Sequence, residues 1–259
     1  MENLQTDTTY QKWYNSSYEE YTPNLSNTDW AKELSELEVE IYLGTWCGDS
    51  KNWVPKFVKL WEELGLDHEQ LHFTALYGRV DGELKYKQGP NREEKGLGIH
   101  RVPTFIFKKD GEEIARMVEY PVNSLETDLA QIALGYPSSP NYRAATYMLD
   151  LFASQSMEEI KANEVEHLYE AYELINGNRS ELNTLGFVLL ESDRIEEALM
   201  VFNFNTRYFP NDPRAYESFA DALVANDQIE EAIRNYDKVL LLDRSNTDVR
   251  GKLNEIYSR

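Results

Sequence analysis

The 259-residue chain has a single cysteine, Cys47, so no disulfide can form within it. Most thiol redox centres use a pair of cysteines, in which the second thiol resolves the bond that the first has made. Any disulfide chemistry at Cys47 therefore needs a thiol from outside the chain to complete it.

Long apolar runs and basic charge are also scarce. No stretch reaches the roughly 18 apolar residues of a membrane-spanning helix. The first residues, MENLQTDTTYQKW, have no apolar signal core, so a cytoplasmic location is the default expectation, with a periplasmic or secreted location left open if a signal was removed. The 46 acidic residues exceed the 26 basic ones and give a net charge of -20. Such a surface repels phosphate backbones and argues against a nucleic-acid partner.

The first half of the chain predicts an α/β fold. VEIYLG at 39–44 and HFTALYG at 72–78 have the composition of buried strands, and residues 50–64 carry apolar side chains at helical spacing. Residues 103–120 predict a hairpin about a Lys-Asp-Gly turn, and residues 122–134 predict a closing helix. This order of elements is typical of an α/β sandwich.

Two further segments accompany this fold. Residues 1–36 predict a helical extension that packs on the neighbouring domain, with Thr28 and Asp29 capping a short helix that runs to Leu37. The polar stretch 79–97 predicts a loop with a short helix. The aromatic side chains of the extension recur at helical spacing and are Tyr10, Trp13, Tyr14, Tyr18 and Tyr21.

The second half predicts helical repeats. GYPSSPN, residues 135–141, has the Pro and Ser content of a linker. Beyond it, two segments match at an offset of 34 residues, and DRIEEAL at 193–199 is nearly the same string as DQIEEAI at 227–233. This offset is the period of the tetratricopeptide repeat. The small residues at Gly186 and Ala220 are expected to let paired helices approach closely.

The sequence around Cys47 resembles the thioredoxin superfamily. TWCGDSK, residues 45–51, stands where that family has Trp-Cys-Gly-Pro-Cys-Lys, and Pro55 matches the proline that kinks the active-site helix. LGIHRVPTFIFKKDGEEIAR, residues 97–116, matches the stretch with the family's cis-proline and the hairpin after it. The resemblance implies a cis bond between Val102 and Pro103 that faces Cys47.

With this resemblance the chain divides into three parts. A thioredoxin-like α/β domain with its helical extension occupies 1–137, with a core at about 38–135. A linker with helices of unassigned type occupies 138–180, and an all-α domain of tetratricopeptide-like repeats with a C-terminal capping helix occupies 181–259.

The predicted site centres on Cys47 and Ser50 as catalytic residues. A cysteine at a helix N-terminus faces unpaired N–H groups and the positive end of the helix dipole, and both favour the nucleophilic thiolate. The Ser50 hydroxyl is expected to hydrogen-bond that thiolate, and the charge of Asp49 to oppose it. The resemblance adds the residues expected to contact a client, which are Trp46, Gly48, Asp49, Val102 and Pro103.

Three departures from the family limit the chemistry. Ser50 replaces the resolving cysteine, Asp49 replaces the proline of the motif, and Ile41 stands where thioredoxins keep a buried Asp for proton transfer. A single cysteine can exchange or isomerise disulfides of protein clients, or hold a client covalently, but another thiol has to release it. Whether the chain is an enzyme stays open on these grounds.

We therefore predict thiol–disulfide exchange by one cysteine on protein clients with disulfides or thiols, with a protein partner on the repeats. No cofactor is expected. The alternative is a non-catalytic adaptor in which both domains only bind proteins. The oligomeric state is left open.

Two histidine-containing motifs have competing interpretations. HEQLH, residues 68–72, fits a zinc protease pattern, but a helix ends at Gly65 and a strand follows, so His68 and His72 are expected at a surface connection without metal. His100 precedes Pro103 by three residues, and we expect an exposed residue of the client groove rather than a partner of Cys47.

The repeats predict a protein-binding face. Glu217 and Asp221 of the second repeat are expected to make its groove acidic, which favours basic or apolar segments over a C-terminal carboxylate. Packing on the first domain or self-association is the alternative. Tyr216 and Tyr236 fall on core positions.

Overall fold

A mixed four-stranded sheet lies at the centre of the N-terminal half. The structure, a computed structural model, describes residues 7–78 and 87–258 and divides into two units, Met1–Asn141 and Tyr142–Arg259. The strand order is β2-β1-β3-β4, in which β1 pairs in parallel with β2 and antiparallel with β3, and β3 pairs antiparallel with β4. The strands are β1 Glu38–Leu43, β2 Leu71–Ala75, β3 Thr104–Lys109 and β4 Glu112–Val118.

The helix that follows β1 fills the core of this unit. It is α2, Gly48–Glu63, and its apolar face is completely buried at Val54, Phe57 and Trp61. The Phe57 ring lies 4.6 Å from that of Phe105 on β3, centroid to centroid. The remaining helices of the unit are α1 Thr8–Glu20, a 3₁₀ helix Asp29–Glu36, a 3₁₀ turn His68–Gln70 and α3 Leu125–Ala133.

The predicted hairpin is confirmed. Asp110 and Gly111 at its tip have φ of 52° and 83°, the left-handed conformation that a two-residue hairpin turn requires. Glycine takes it without a steric penalty, and aspartate tolerates it better than most residues. The Asp-Gly pair in the sequence is therefore enough to predict this turn.

The N-terminal extension belongs to the same unit. Tyr14 of α1 is buried, Tyr18 donates a hydrogen bond to Glu62, and Tyr21 donates to Glu126 at 2.8 Å. The aromatic stripe thus packs on α2 and reaches α3, as its spacing predicts.

One local expectation is wrong, and a second is tested only over residues 87–97. The Thr28 side chain makes no capping hydrogen bond to the 3₁₀ helix that follows it. In the polar stretch 79–97, residues 79–86 lie outside the described part, and residues 87–97 form turns without a helix. The turns are held by local bonds such as the one from the Gly89 amide to Glu94, at 2.7 Å.

The second unit is built from consecutive helices around its own core. No helix of either unit, within the described residues, is long and apolar enough to cross a membrane. The helices are α4 Arg143–Ser154, α5 Met157–Ala162, α6 Glu164–Leu174, α7 Glu181–Glu191, α8 Ile195–Tyr208, α9 Pro213–Ala225, α10 Ile229–Leu242 and α11 Thr247–Tyr257.

The repeat appears in the helix pairs α7–α8 and α9–α10. Gly186 of α7 lies against Phe202 of α8, and a Cβ on that glycine would come within 2.6 Å of the Phe202 ring. The equivalent pair, Ala220 and Tyr236, is also buried. Small residues therefore do allow close helix approach in the first repeat.

Gly186→Ala is expected to destabilise the helical unit by about 1–3 kcal/mol, because the added methyl overpacks against a stiff aromatic ring. The control is Gly251→Ala on α11, where a Cβ meets no atom within 4 Å. That change should stabilise the unit by about 0.5–1 kcal/mol through helix propensity. Urea unfolding followed by far-UV circular dichroism measures both. Equal effects of the two substitutions would contradict the packing.

The two acids expected to make the groove of the second repeat acidic are both paired within the helical unit. Lys252 of the capping helix α11 bonds Glu217 at 3.0 Å and Asp221 at 2.7 Å, and Tyr236 donates to Asp221 at 2.6 Å. These two acids thus tie the cap to the repeat, a pairing that the offset of 34 residues does not reveal. Of the two predicted core tyrosines, Tyr236 is buried and Tyr216 is partly buried.

Candidate functional site

Cys47 occupies the N-cap of α2 and is partly exposed. Its backbone is extended, with φ of −85° and ψ of 131°, and its carbonyl accepts the amide of Lys51 at 3.1 Å. The free N–H groups of the first helical turn follow directly after it. The thiol therefore sits at the positive end of the helix, as predicted.

The thiol contacts the loop that ends at the cis-proline. Its Sγ donates to the Val102 carbonyl at 3.1 Å, and the Val102–Pro103 bond is cis. The Pro103 carbonyl in turn accepts the Glu119 amide at 2.7 Å, which joins this loop to the end of β4. The resemblance predicted both the cis bond and its position opposite Cys47.

Ser50 plays a different part from the one expected. It is completely buried, and its Oγ accepts the backbone amide of Gly44 at 3.1 Å. The predicted bond to Cys47 is absent among the described contacts, where the Sγ bonds Val102 instead. Ser50 therefore ties the end of β1 to the start of α2 and positions the turn that carries Cys47.

The ring of Trp46, the residue before Cys47, lies close to two glycines. A Cβ on Gly44 or Gly78 would come within 2.7 Å or 2.8 Å of its ring, and the indole Nε1 donates to the Leu76 carbonyl at 3.0 Å. The residue is still 38% exposed. Trp46 thus offers a fixed apolar surface next to Cys47. Gly78 is one of the residues against which the ring packs, and the sequence analysis did not single it out.

Gly78→Ala is expected to displace the Trp46 ring and break its bond to Leu76, because the new methyl occupies the ring's position. Gly48→Ala is the control, since a Cβ there meets no atom within 4 Å. The ¹H–¹⁵N signal of the indole, assigned by its loss in Trp46→Phe, should shift strongly in Gly78→Ala alone. An unchanged signal would mean that the ring does not rest on this glycine.

A half-buried carboxyl was missed by the sequence analysis. Burial raises the pKa of the Glu119 carboxyl, the positive charge of Arg101 lowers it, Asp49 raises it further and Lys87 lowers it. Glu119 follows β4 with a left-handed φ of 68°. No motif marks it, because its place near the site depends on pairing between β4 and the proline loop.

The expectation for His100 is wrong. The side chain is 2% exposed, and its Nδ1 lies 3.1 Å from the Gly98 carbonyl. Its own carbonyl accepts the Lys87 ammonium. His100 is therefore a buried residue of the proline loop and not an exposed residue of a client groove.

The two histidines of HEQLH lie on different elements. His68 is in the 3₁₀ turn, with its Nε2 2.8 Å from Glu62, and His72 is on β2. In the part of the chain that the structure describes, no three His, Cys, Asp or Glu side chains are grouped as metal ligands would be. The histidines do not share the helical turn that the zinc protease pattern requires.

Comparison with known proteins agrees with this architecture. No protein-family model matches the chain. The chain is 30% identical over 106 residues to the TPR repeat-containing thioredoxin TDX of Arabidopsis thaliana, a match that covers 41% of this chain and 24% of that protein. The chain thus matches about a quarter of the length of its curated relative. With its sheet and its helix pairs, this chain is a thioredoxin-like α/β domain followed by tetratricopeptide-like helical repeats.

Proposed function

We propose that the protein uses Cys47 for thiol–disulfide exchange with protein clients, while its helical repeats bind partner proteins. The observation that supports this proposal best is the position of Cys47. The thiol is partly exposed at the N-terminus of α2, opposite the cis Val102–Pro103 bond and beside the exposed ring of Trp46. A client disulfide can approach the sulfur while an apolar side chain next to it rests on the indole.

The exchange proceeds in two steps, each an attack of a thiolate on a disulfide. The Cys47 thiolate attacks one sulfur of a client disulfide, a Cys47–client disulfide forms, and the other client sulfur leaves as a thiolate. A small thiol such as glutathione, as its thiolate, then attacks the client sulfur of the mixed disulfide. Cys47 leaves as a thiolate, and the client carries the new disulfide. No second cysteine of this chain takes part.

The local groups favour different protonation states of Cys47. The N–H groups at the start of α2 stabilise a thiolate, which is the reactive form. The Val102 carbonyl accepts a hydrogen bond from the protonated thiol, and Asp49 places a negative charge two residues away. In the first step Cys47 therefore gives up its proton, and with it the hydrogen bond to the Val102 carbonyl.

A non-catalytic adaptor is the second candidate. Cys47 packs against a small apolar cluster that includes Ile99 and Val102. In this case the Trp46 surface and the repeats would serve binding alone.

Reaction with oxidised glutathione distinguishes the two candidates. The folded protein should gain one glutathionyl group on Cys47, seen by intact mass, and dithiothreitol should remove it. Cys47→Ala should gain none. If the folded protein stays unmodified while the urea-unfolded chain reacts, the fold shields the thiol and the adaptor candidate is supported.

A further inference from the structure

Helix α6 exposes an apolar stripe. Val165, Tyr169 and Tyr172 are 75%, 70% and 55% exposed, and their spacing of four and three residues puts them on one face of the helix. The opposite face is buried at His167 and Ala171. Three large apolar side chains aligned on one exposed face are typical of an interaction site, whereas single exposed ones are common.

The stripe opens onto a groove. A depression of about 660 Å³ around the start of α6 includes Val165 and Tyr169. A second depression of about 580 Å³ adjoins it, because Lys161 and Glu164 line both. Its apolar residues come from α8 and α9 and are Ile195, Leu199, Met200, Phe219 and Leu223.

Negative charge borders this surface. Glu166, Glu170 and Glu173 lie on α6 along one side of the stripe, and Glu231 lines the second depression. None of the four forms an ion pair within residues 7–78 and 87–258, whereas Glu164 pairs with Arg207 at 3.2 Å. The surface therefore combines apolar contact area with uncompensated negative charge.

We propose that the α6 stripe and the adjoining groove dock a basic segment with apolar side chains from another protein. The apolar side chains would cover Val165, Tyr169 and Tyr172, and lysine or arginine side chains would pair with the glutamates beside the stripe. A second copy of this chain fits less well, because two stripes face to face would oppose glutamates of like charge. The inference rests on the proposed partner-binding role of the repeats, and it names the surface and the chemistry of the partner.

The test uses a fluorescently labelled peptide of about 18 residues, or five helical turns, with leucines on one face and lysines elsewhere. Fluorescence anisotropy gives its affinity for the full chain. Tyr169→Ser/Tyr172→Ser should weaken binding about tenfold, since truncation of two central tyrosines removes much of the contact energy. Tyr257→Ser is the matched control, because Tyr257 is 67% exposed but lies on α11. It should leave the affinity within about twofold.

Two outcomes would overturn the inference. If both variants weaken peptide binding equally, or if neither weakens it, the peptide binds the acidic surface in general and not the stripe. Concentration-dependent dimers that disappear in Tyr169→Ser/Tyr172→Ser would assign the stripe to a second copy. The peptide has no cysteine, and its affinity is also measured for Cys47→Ala. Peptide binding is therefore measured separately from exchange at Cys47.

Discussion

Ser50→Cys is expected to turn the protein into a reductase that completes its own cycle. Ser50 is three residues after Cys47 on α2, at the position of the second cysteine in the motif that the site resembles. Its Oγ accepts only the Gly44 amide among the described contacts, and a sulfur can occupy the same buried space. A thiol there can attack the mixed disulfide on Cys47, release the client and leave a disulfide between residues 47 and 50.

The measurement is reduction of insulin disulfides with dithiothreitol as the electron donor. The parent should stay close to the rate of dithiothreitol alone, while Ser50→Cys should exceed it many times over. Cys47→Ala/Ser50→Cys should return to the background, because the buried second thiol does not start the reaction. A variant no faster than the parent would show that Cys47 is not placed to react with disulfides.

His100→Leu is expected to make the N-terminal unit less sensitive to acid. The pKa of His100 is lowered from 6.5 to about 3, chiefly by burial; the charges of Lys87, Arg101 and Arg116 add to this, and the hydrogen bond to Gly98 opposes it. Between pH 6.5 and about 3 the unfolded chain binds a proton at this residue and the folded unit does not. The free energy of unfolding therefore falls as pH falls through this window, by about 1.4 kcal/mol per pH unit.

Urea unfolding at pH 6 and pH 4 tests this slope. All five tryptophans lie between Trp13 and Trp61, so their fluorescence reports on the N-terminal unit alone. The loss of stability between the two pH values should be smaller in His100→Leu, and equally smaller in His100→Phe, although the two variants differ in packing. An unchanged slope in both would mean that His100 is accessible to protons in the folded unit.

Local patterns predicted much of the fold. The turn at Asp110 and Gly111 and the helix after Cys47 each depend on a few adjacent residues, the cis bond at Pro103 was implied by the family resemblance, and each is found. The close approach at Gly186 follows from a period that the sequence shows openly. In these cases the residues from which a feature is predicted are the same residues that form it.

The unpredicted features depend on contacts between distant segments. Ser50 bonds Gly44, and not Cys47, because of the path that the chain takes from β1 into α2. Lys252 pairs with Glu217 and Asp221 because the capping helix folds back on the second repeat. Neither contact is marked by a sequence pattern. The first determines which groups can bond the Cys47 thiol, and the second determines the charge of the repeat surface.

The burial of His100 has the same origin. Three residues from Pro103, it was expected in an open groove, but its side chain is buried and its carbonyl accepts the Lys87 ammonium. The exposed stripe of α6 was missed for a different reason. Its tyrosines have the spacing of core residues, and only the structure separates a face that is packed from one that is exposed.

The rate of iodoacetamide alkylation of Cys47 tests the proposed exchange function most directly. Alkylation requires the thiolate, and the same cysteine in the urea-unfolded chain provides the reference. The proposed function predicts that the folded protein reacts faster than the unfolded chain at pH 6 to 7, and that the excess disappears at high pH. A folded protein that reacts more slowly across the whole pH range, and forms no mixed disulfide, would contradict the proposed function.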